Sequence, residues 1–95
     1  MPKTSINASE AHAIALQFIT FIASDEERLD RFSNLSGMTM SDLKNGINDP
    51  VFLGFVFDYG LQDEALILSF AATHDIKPET LFTIRQGLPG AQHDI

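Results

Sequence analysis

The sequence has no cysteine and no tryptophan, and only six lysines and arginines. Nor has it an apolar run long enough to span a bilayer. Each absence removes a class of function. Without cysteine there are no disulfides, no thiolate nucleophile and no zinc–sulfur site. With so few basic residues against thirteen acidic ones, the formal net charge is −7. Phosphate backbones and anionic lipid headgroups repel such a chain, so nucleic acid and membrane surfaces are poor partners for it. The longest apolar stretch, Ala11 to Ala23, is interrupted by His12, Gln17 and Thr20, and a spanning helix needs ~20 apolar residues. It also fails as a secretory signal. Only Lys3 precedes it, and Ser24-Asp25-Glu26-Glu27 follows where small residues would mark a cleavage site. The expected location is therefore the cytoplasm, with no membrane association.

What is present is apolar and helical. Hydrophobic residues make up 44 % of the chain, with eight Phe and one Tyr, too many for a disordered polymer. At 95 residues the chain reads as one domain, 1–95, with 1–6 and 90–95 as flexible ends. Helix start and stop signals recur along it. Asn7 with Glu10 suits an N-terminal cap, with Ile6 as a staple on Ala11. The first helix then runs to about Ala23. Ser24 and Glu27 have capping-box spacing and open a second helix with an apolar stripe of Leu29, Phe32 and Leu35. Gly37 ends it in a left-handed turn, and Met38 folds back on the last turn. Thr39 or Ser41 opens a short third helix that carries Leu43 and ends near Gly46-Ile47. Asp49-Pro50 starts a fourth, which ends near Tyr59-Gly60. Asp63 and Glu64 fall in the first turn of a fifth, which runs to about His74. Lys77-Pro78 begins a sixth, closed by Gly87 and Pro89. No stretch alternates apolar and polar residues as a strand would.

The two halves also resemble each other at an offset of about 38 residues: Asp25-Glu26 falls on Asp63-Glu64, Phe32 on Phe70, Met38 on Ile76 and Leu43 on Leu81. Upstream, Ile14 falls on Phe52, Phe18 on Val56, Ile19 on Phe57 and Phe21 on Tyr59. The expected fold is a compact all-α bundle of about six helices, arranged as two pseudo-repeated three-helix units with helix-turn-helix-like corners. The first and fourth helices are apolar on most sides, which predicts that they pack centrally, each covered by its own helix pair. Gly54, inside the fourth helix, predicts close approach of a neighbour there.

Ala15-Leu16-Gln17, Asp25-Glu26, Leu29, Phe32, Gly37, Asp42-Leu43, Asp49-Pro50, Phe52-Leu53, Asp58, Leu61, Asp63-Glu64, Phe70 and Leu88-Pro89-Gly90 follow in an order and spacing that has a counterpart. By these residues the chain resembles a bacterial family of short proteins known as domain of unknown function 3572. It departs from that pattern at Tyr59-Gly60, where the family tends to carry a further apolar pair. The resemblance implies an all-helical bacterial protein and implies no activity.

Candidate chemistry is sparse. The acidic pairs Asp25-Glu26 and Asp63-Glu64 have the makings of metal or acid–base groups, with Asp58 as a third carboxylate near the second pair. Both pairs also lie where helices begin, and capping accounts for them. His12, His74 and His93 are scattered, with no paired-histidine or Glu-x-x-His spacing. There is no Gly-x-Ser-x-Gly elbow and no phosphate-binding glycine loop. No catalytic, cofactor-binding or metal-binding residue is assigned, and the expectation is a protein that is not an enzyme and needs no cofactor.

Two functional readings remain. The fourth helix carries Val51, Phe52, Phe55, Val56 and Tyr59 on one face and Leu53 and Phe57 on another. Either both faces are core, or one aromatic face stays free. The first reading takes Phe52, Phe55 and Tyr59 as the surface of a non-enzymatic interaction module that binds a partner protein or a second copy. The other reading is a DNA-associated regulator that uses the helix-turn-helix-like segment Phe32 to Ile47, where the recognition helix would offer Lys44 and Asn45 but also Asp42. From the charge we expect no retardation of duplex DNA in a gel at physiological salt. A sequence-specific, sub-micromolar complex would reverse the order of the two readings.

Overall fold

The chain forms six α-helices: α1 (Ala8–Ala23), α2 (Glu26–Ser36), α3 (Met40–Gly46), α4 (Pro50–Gly60), α5 (Glu64–Thr73) and α6 (Pro78–Gln86). The computed structural model describes residues 8–88, and no strand occurs among them. The capping readings at Asn7 and Ile6, the closing role of Pro89 and the flexible ends lie outside the described residues.

The turns show how short polar residues start these helices. Asp25 has an extended backbone, and its carboxylate accepts the Glu27 N–H at 2.9 Å. It is therefore Asp25, rather than Ser24, that caps α2. The Ser24 hydroxyl donates instead to the Phe21 carbonyl at 3.0 Å, back into the helix it has just left. Thr39 opens α3 in a reciprocal box. Its hydroxyl accepts the Asp42 N–H at 3.1 Å, and Asp42 accepts the Thr39 N–H at 2.9 Å. Asp49 caps α4 with Pro50 behind it. Asp63 is itself the cap of α5, one residue before the first turn. Lys77 has no acceptor to offer α6, which starts on Pro78 alone.

The repeat predicted from spacing appears in these boundaries. Asp25 and Asp63 cap equivalent helices, and Thr39 and Lys77 hold equivalent positions just before α3 and α6 at the same offset, though only Thr39 lends its side chain to the helix. Among the described residues, Gly37 (φ 80°) and Asp75 (φ 54°) have left-handed backbones, and they too are equivalent. Phe32 and Phe70 are both buried, as are Leu43 and Leu81. Met38 and Ile76 both lie half-buried against the core.

The cover of the central helices is shared rather than divided. α1 packs on α2, α4 and α6, while α4 packs on α1, α2, α5 and α6. α2 and α6 thus each bridge both central helices. A three-helix half has too little interior to enclose a helix that is apolar on two sides, so each half completes the core of the other. The centre is aromatic. The Phe18 ring is fully buried, stacks on Phe57 with centroids 4.8 Å apart, and meets Phe70 edge-on at 5.0 Å. Gly54 is buried in α4, but the closest approach the structure defines on that helix is at its end. A Cβ on Gly60 would stand 2.4 Å from the Phe18 ring.

Because Phe18 is locked between two other rings, it cannot yield to that Cβ. Gly60→Ala is expected to lower stability by about 1–3 kcal/mol, the usual scale of overpacking. Urea denaturation would measure this, and an unchanged midpoint would mean that the Phe18 ring has room to move.

Candidate functional site

Helix α4 positions the residues singled out for a partner surface. Asp49 and Pro50 fix where it starts, and that sets the rotation of every side chain after it. Leu53, Val56, Phe57 and Gly60 turn inward and are buried. Directly opposite, one turn apart, stand Val51 and Phe55, 42 % and 47 % exposed. Phe52 and Tyr59 flank that ridge, half-buried and packed against the core. The Phe52 ring fills the notch left by Gly46 at the end of α3, where a Cβ would stand only 2.1 Å from a ring carbon. Of the three aromatics read from the sequence as one surface, Phe55 is the one that projects. Phe52 and Tyr59 join it to the interior, and Val51 completes the ridge.

On the other flank of the ridge lies an ion pair that sequence reasoning missed. Asp58 accepts two hydrogen bonds from Arg85 of α6, from Nε at 2.6 Å and from Nη2 at 3.0 Å. Nη1 of the same arginine donates to the Leu88 carbonyl at 3.2 Å. The Arg85 side chain is 7 % exposed and that of Asp58 45 %. A buried guanidinium needs such a two-pronged acceptor. The signal was present in the spacing: Leu81, Ile84, Arg85 and Leu88 follow one helical stripe, so a charged residue stood among core positions.

The acidic pairs are structural. Asp25 caps α2 and lies 3.5 Å from Arg28. Asp63 caps α5 through the Leu66 N–H and takes Arg31 of α2 in a second two-pronged pair, at 2.7 and 2.9 Å. Arg28 lies over the Phe21 ring, 3.7 Å from its centroid, and donates to the Phe21 carbonyl at the end of α1. Glu26 and Glu64 are exposed in the first turns of their helices. Asp58 turns to Arg85 and not toward Asp63 and Glu64. Among the described residues no group of three or more His, Asp or Glu side chains could hold a metal ion.

The histidines stay apart. His12 is half-buried on α1. His74, exposed at the end of α5, leans on the Phe70 ring at 4.5 Å. His93 lies outside the described residues. The order of helix, glycine turn and short helix read from Phe32 to Ile47 is present in α2, Gly37 and α3, but Asp42 is held in the α3 capping box and Lys44 is the sole basic residue of that helix. A depression of about 780 Å3 is lined by Ser9, His12, Leu16, Pro50 and Leu88 among others. It borders the points where the chain continues beyond 8–88, and no ligand is assigned to it.

Comparison with known proteins returns one family. Residues 8–91 match the family described as "Protein of unknown function (DUF3572)". No curated protein and no solved structure matches.

The Arg85–Asp58 pair generates a direct expectation. Asp58→Ala removes the carboxylate from a buried guanidinium and should cost about 1–3 kcal/mol. Asp58→Glu, which keeps the charge, should recover part of the loss. Thermal melts of the three proteins measure it. Equal stability for all would show that Arg85 holds its place without the Asp58 carboxylate.

Proposed function

We propose that this chain, which belongs to the DUF3572 family of proteins of unknown function, is a non-enzymatic helical module for protein–protein interaction in the bacterial cytoplasm. One observation carries the reading: α4, a helix with its inner face in the core, also presents Val51 and Phe55 to the outside. Large apolar side chains adjoining on one helix face are the usual anchors of a helix-mediated contact. Phe52 and Tyr59 support them. Held by Gly46 and the core, they keep the ridge rigid, so little side-chain freedom is lost on binding. The partner is a second copy of the chain or another protein.

Charge pairing weighs against the DNA-associated alternative. The arginines of the described chain, Arg28, Arg31 and Arg85, are engaged with Asp25, Asp63 and Asp58. A DNA reader needs several cations free for phosphates. No helix of the described residues is long and apolar enough to cross a membrane.

Phe55→Ala separates surface from core. It is expected to shift stability by less than about 1 kcal/mol, as exposed substitutions do, and to weaken association measured by light scattering or by binding to an isolated partner. A loss of ~3–5 kcal/mol would mark Phe55 as core and remove the basis of the proposal.

A further inference from the structure

A groove runs between α1 and α3, about 280 Å3 in volume, and its lining includes neither Val51 nor Phe55. Its floor is Leu43, fully buried, and Ile19, nearly so. Its outer edge is Met40 and Ile47, 40 % and 38 % exposed. These two lie seven positions apart, so along a helix they are about 10 Å and two turns from each other.

The polar groups of the groove define what it would accept. Thr20 donates its hydroxyl to the Leu16 carbonyl at 3.0 Å, and Ser24 donates to the Phe21 carbonyl at 3.0 Å. Both are satisfied within α1 and ask nothing of a ligand. Lys44 is the charged member of the lining, and it forms no ion pair or hydrogen bond among the described residues. An apolar trough two turns long with one unpaired ammonium calls for apolar side chains and one carboxylate. No strand, and so no sheet edge, is present among the described residues to receive an extended peptide. A second copy would add another −7 to an acidic surface.

We propose that this groove receives an amphipathic helix of a partner protein. Apolar side chains at i, i+3 or i+4, and i+7 enter between Met40 and Ile47, and a flanking carboxylate pairs with Lys44. Methionine at the edge suits the task, because its flexible thioether adapts to the incoming side chain.

The test selects helix-forming peptides from a randomised phage library against the intact chain and measures the enriched peptides by fluorescence polarisation. The expected binders carry an apolar stripe of that spacing and an acidic residue beside it. Lys44→Glu should weaken them about tenfold, since it turns an attraction into a repulsion. Met40→Asp should abolish binding while the circular-dichroism melt is retained, because the side chain is exposed and an acid at the first position of a helix is favourable. Phe55→Ala should leave these affinities within about twofold, as additivity predicts for independent sites, so failure of the α4 surface and failure of the groove are told apart. Binders that lack an acid and ignore Lys44→Glu, or binders lost only with Phe55→Ala, would overturn the proposal. So would a library that yields none. Dimerisation of the chain that disappears with Met40→Asp would also overturn it and assign the groove to a second copy.

Discussion

The fold depends on one ring being where a side chain is not. Phe18 of α1 occupies the space that any residue larger than glycine would fill at position 60 of α4. That contact fixes the distance between the two central helices, and the stacking on Phe57 fixes their rotation. Phe70 then closes over the Phe18 edge and brings in α5. Gly60 is thus a point at which the two halves are joined. A second glycine does the same work at the corner of α3 and α4, where Gly46 receives Phe52. Close packing around two missing Cβ atoms leaves α4 little freedom to rotate, and its outward ridge follows from its inward one.

Polar residues complete the frame rather than decorate it. Three arginines tie α2 to the end of α1, α2 to the start of α5, and α6 to α4. Each uses an acid that the chain already needs, either to cap a helix or to flank the core. The remaining carboxylates of the described residues are exposed, and there the negative charge is a property of the surface. An acidic surface repels other polyanions, nucleic acid among them.

Much of this was legible in the sequence because helix ends are local. Asp49-Pro50, Thr39 and Gly37 each act within four residues of their own position, and each stands where its chemistry placed it. The misreading at Ser24 was also local: two neighbouring residues can both cap, and the choice fell to the carboxylate because the hydroxyl had a nearer carbonyl. What spacing could not show is partnership at a distance. Arg85 and Asp58 are 27 positions apart, and Arg31 and Asp63 are 32. Nothing in either segment names the other. The division of helix 4 had the same limit. Three aromatics on one face look alike in a helical wheel, and only the presence of Gly46 opposite Phe52 tells which of them turns toward the interior. Met40 and Ile47 escaped notice because a seven-residue helix has too few turns to reveal two faces by periodicity.

The matched turns at Gly37 and Asp75 carry a consequence for how such a protein changes over time. Both residues take the left-handed conformation, yet they reach it by different bonds. After α2 the Gly37 N–H returns to Ser33, whereas after α5 it is the following residue, Ile76, whose N–H returns five positions to Ala71 at 2.8 Å. Glycine makes the first turn cheap. At the second, an aspartate takes a similar path, and Ile76 beyond it packs half-buried against the core. The course of the backbone is thus inherited from the packing and not from the residue at the bend. Two halves built this way can drift apart in their letters while keeping the same trace, and kinship between them is to be sought in the torsion angles before the alphabet.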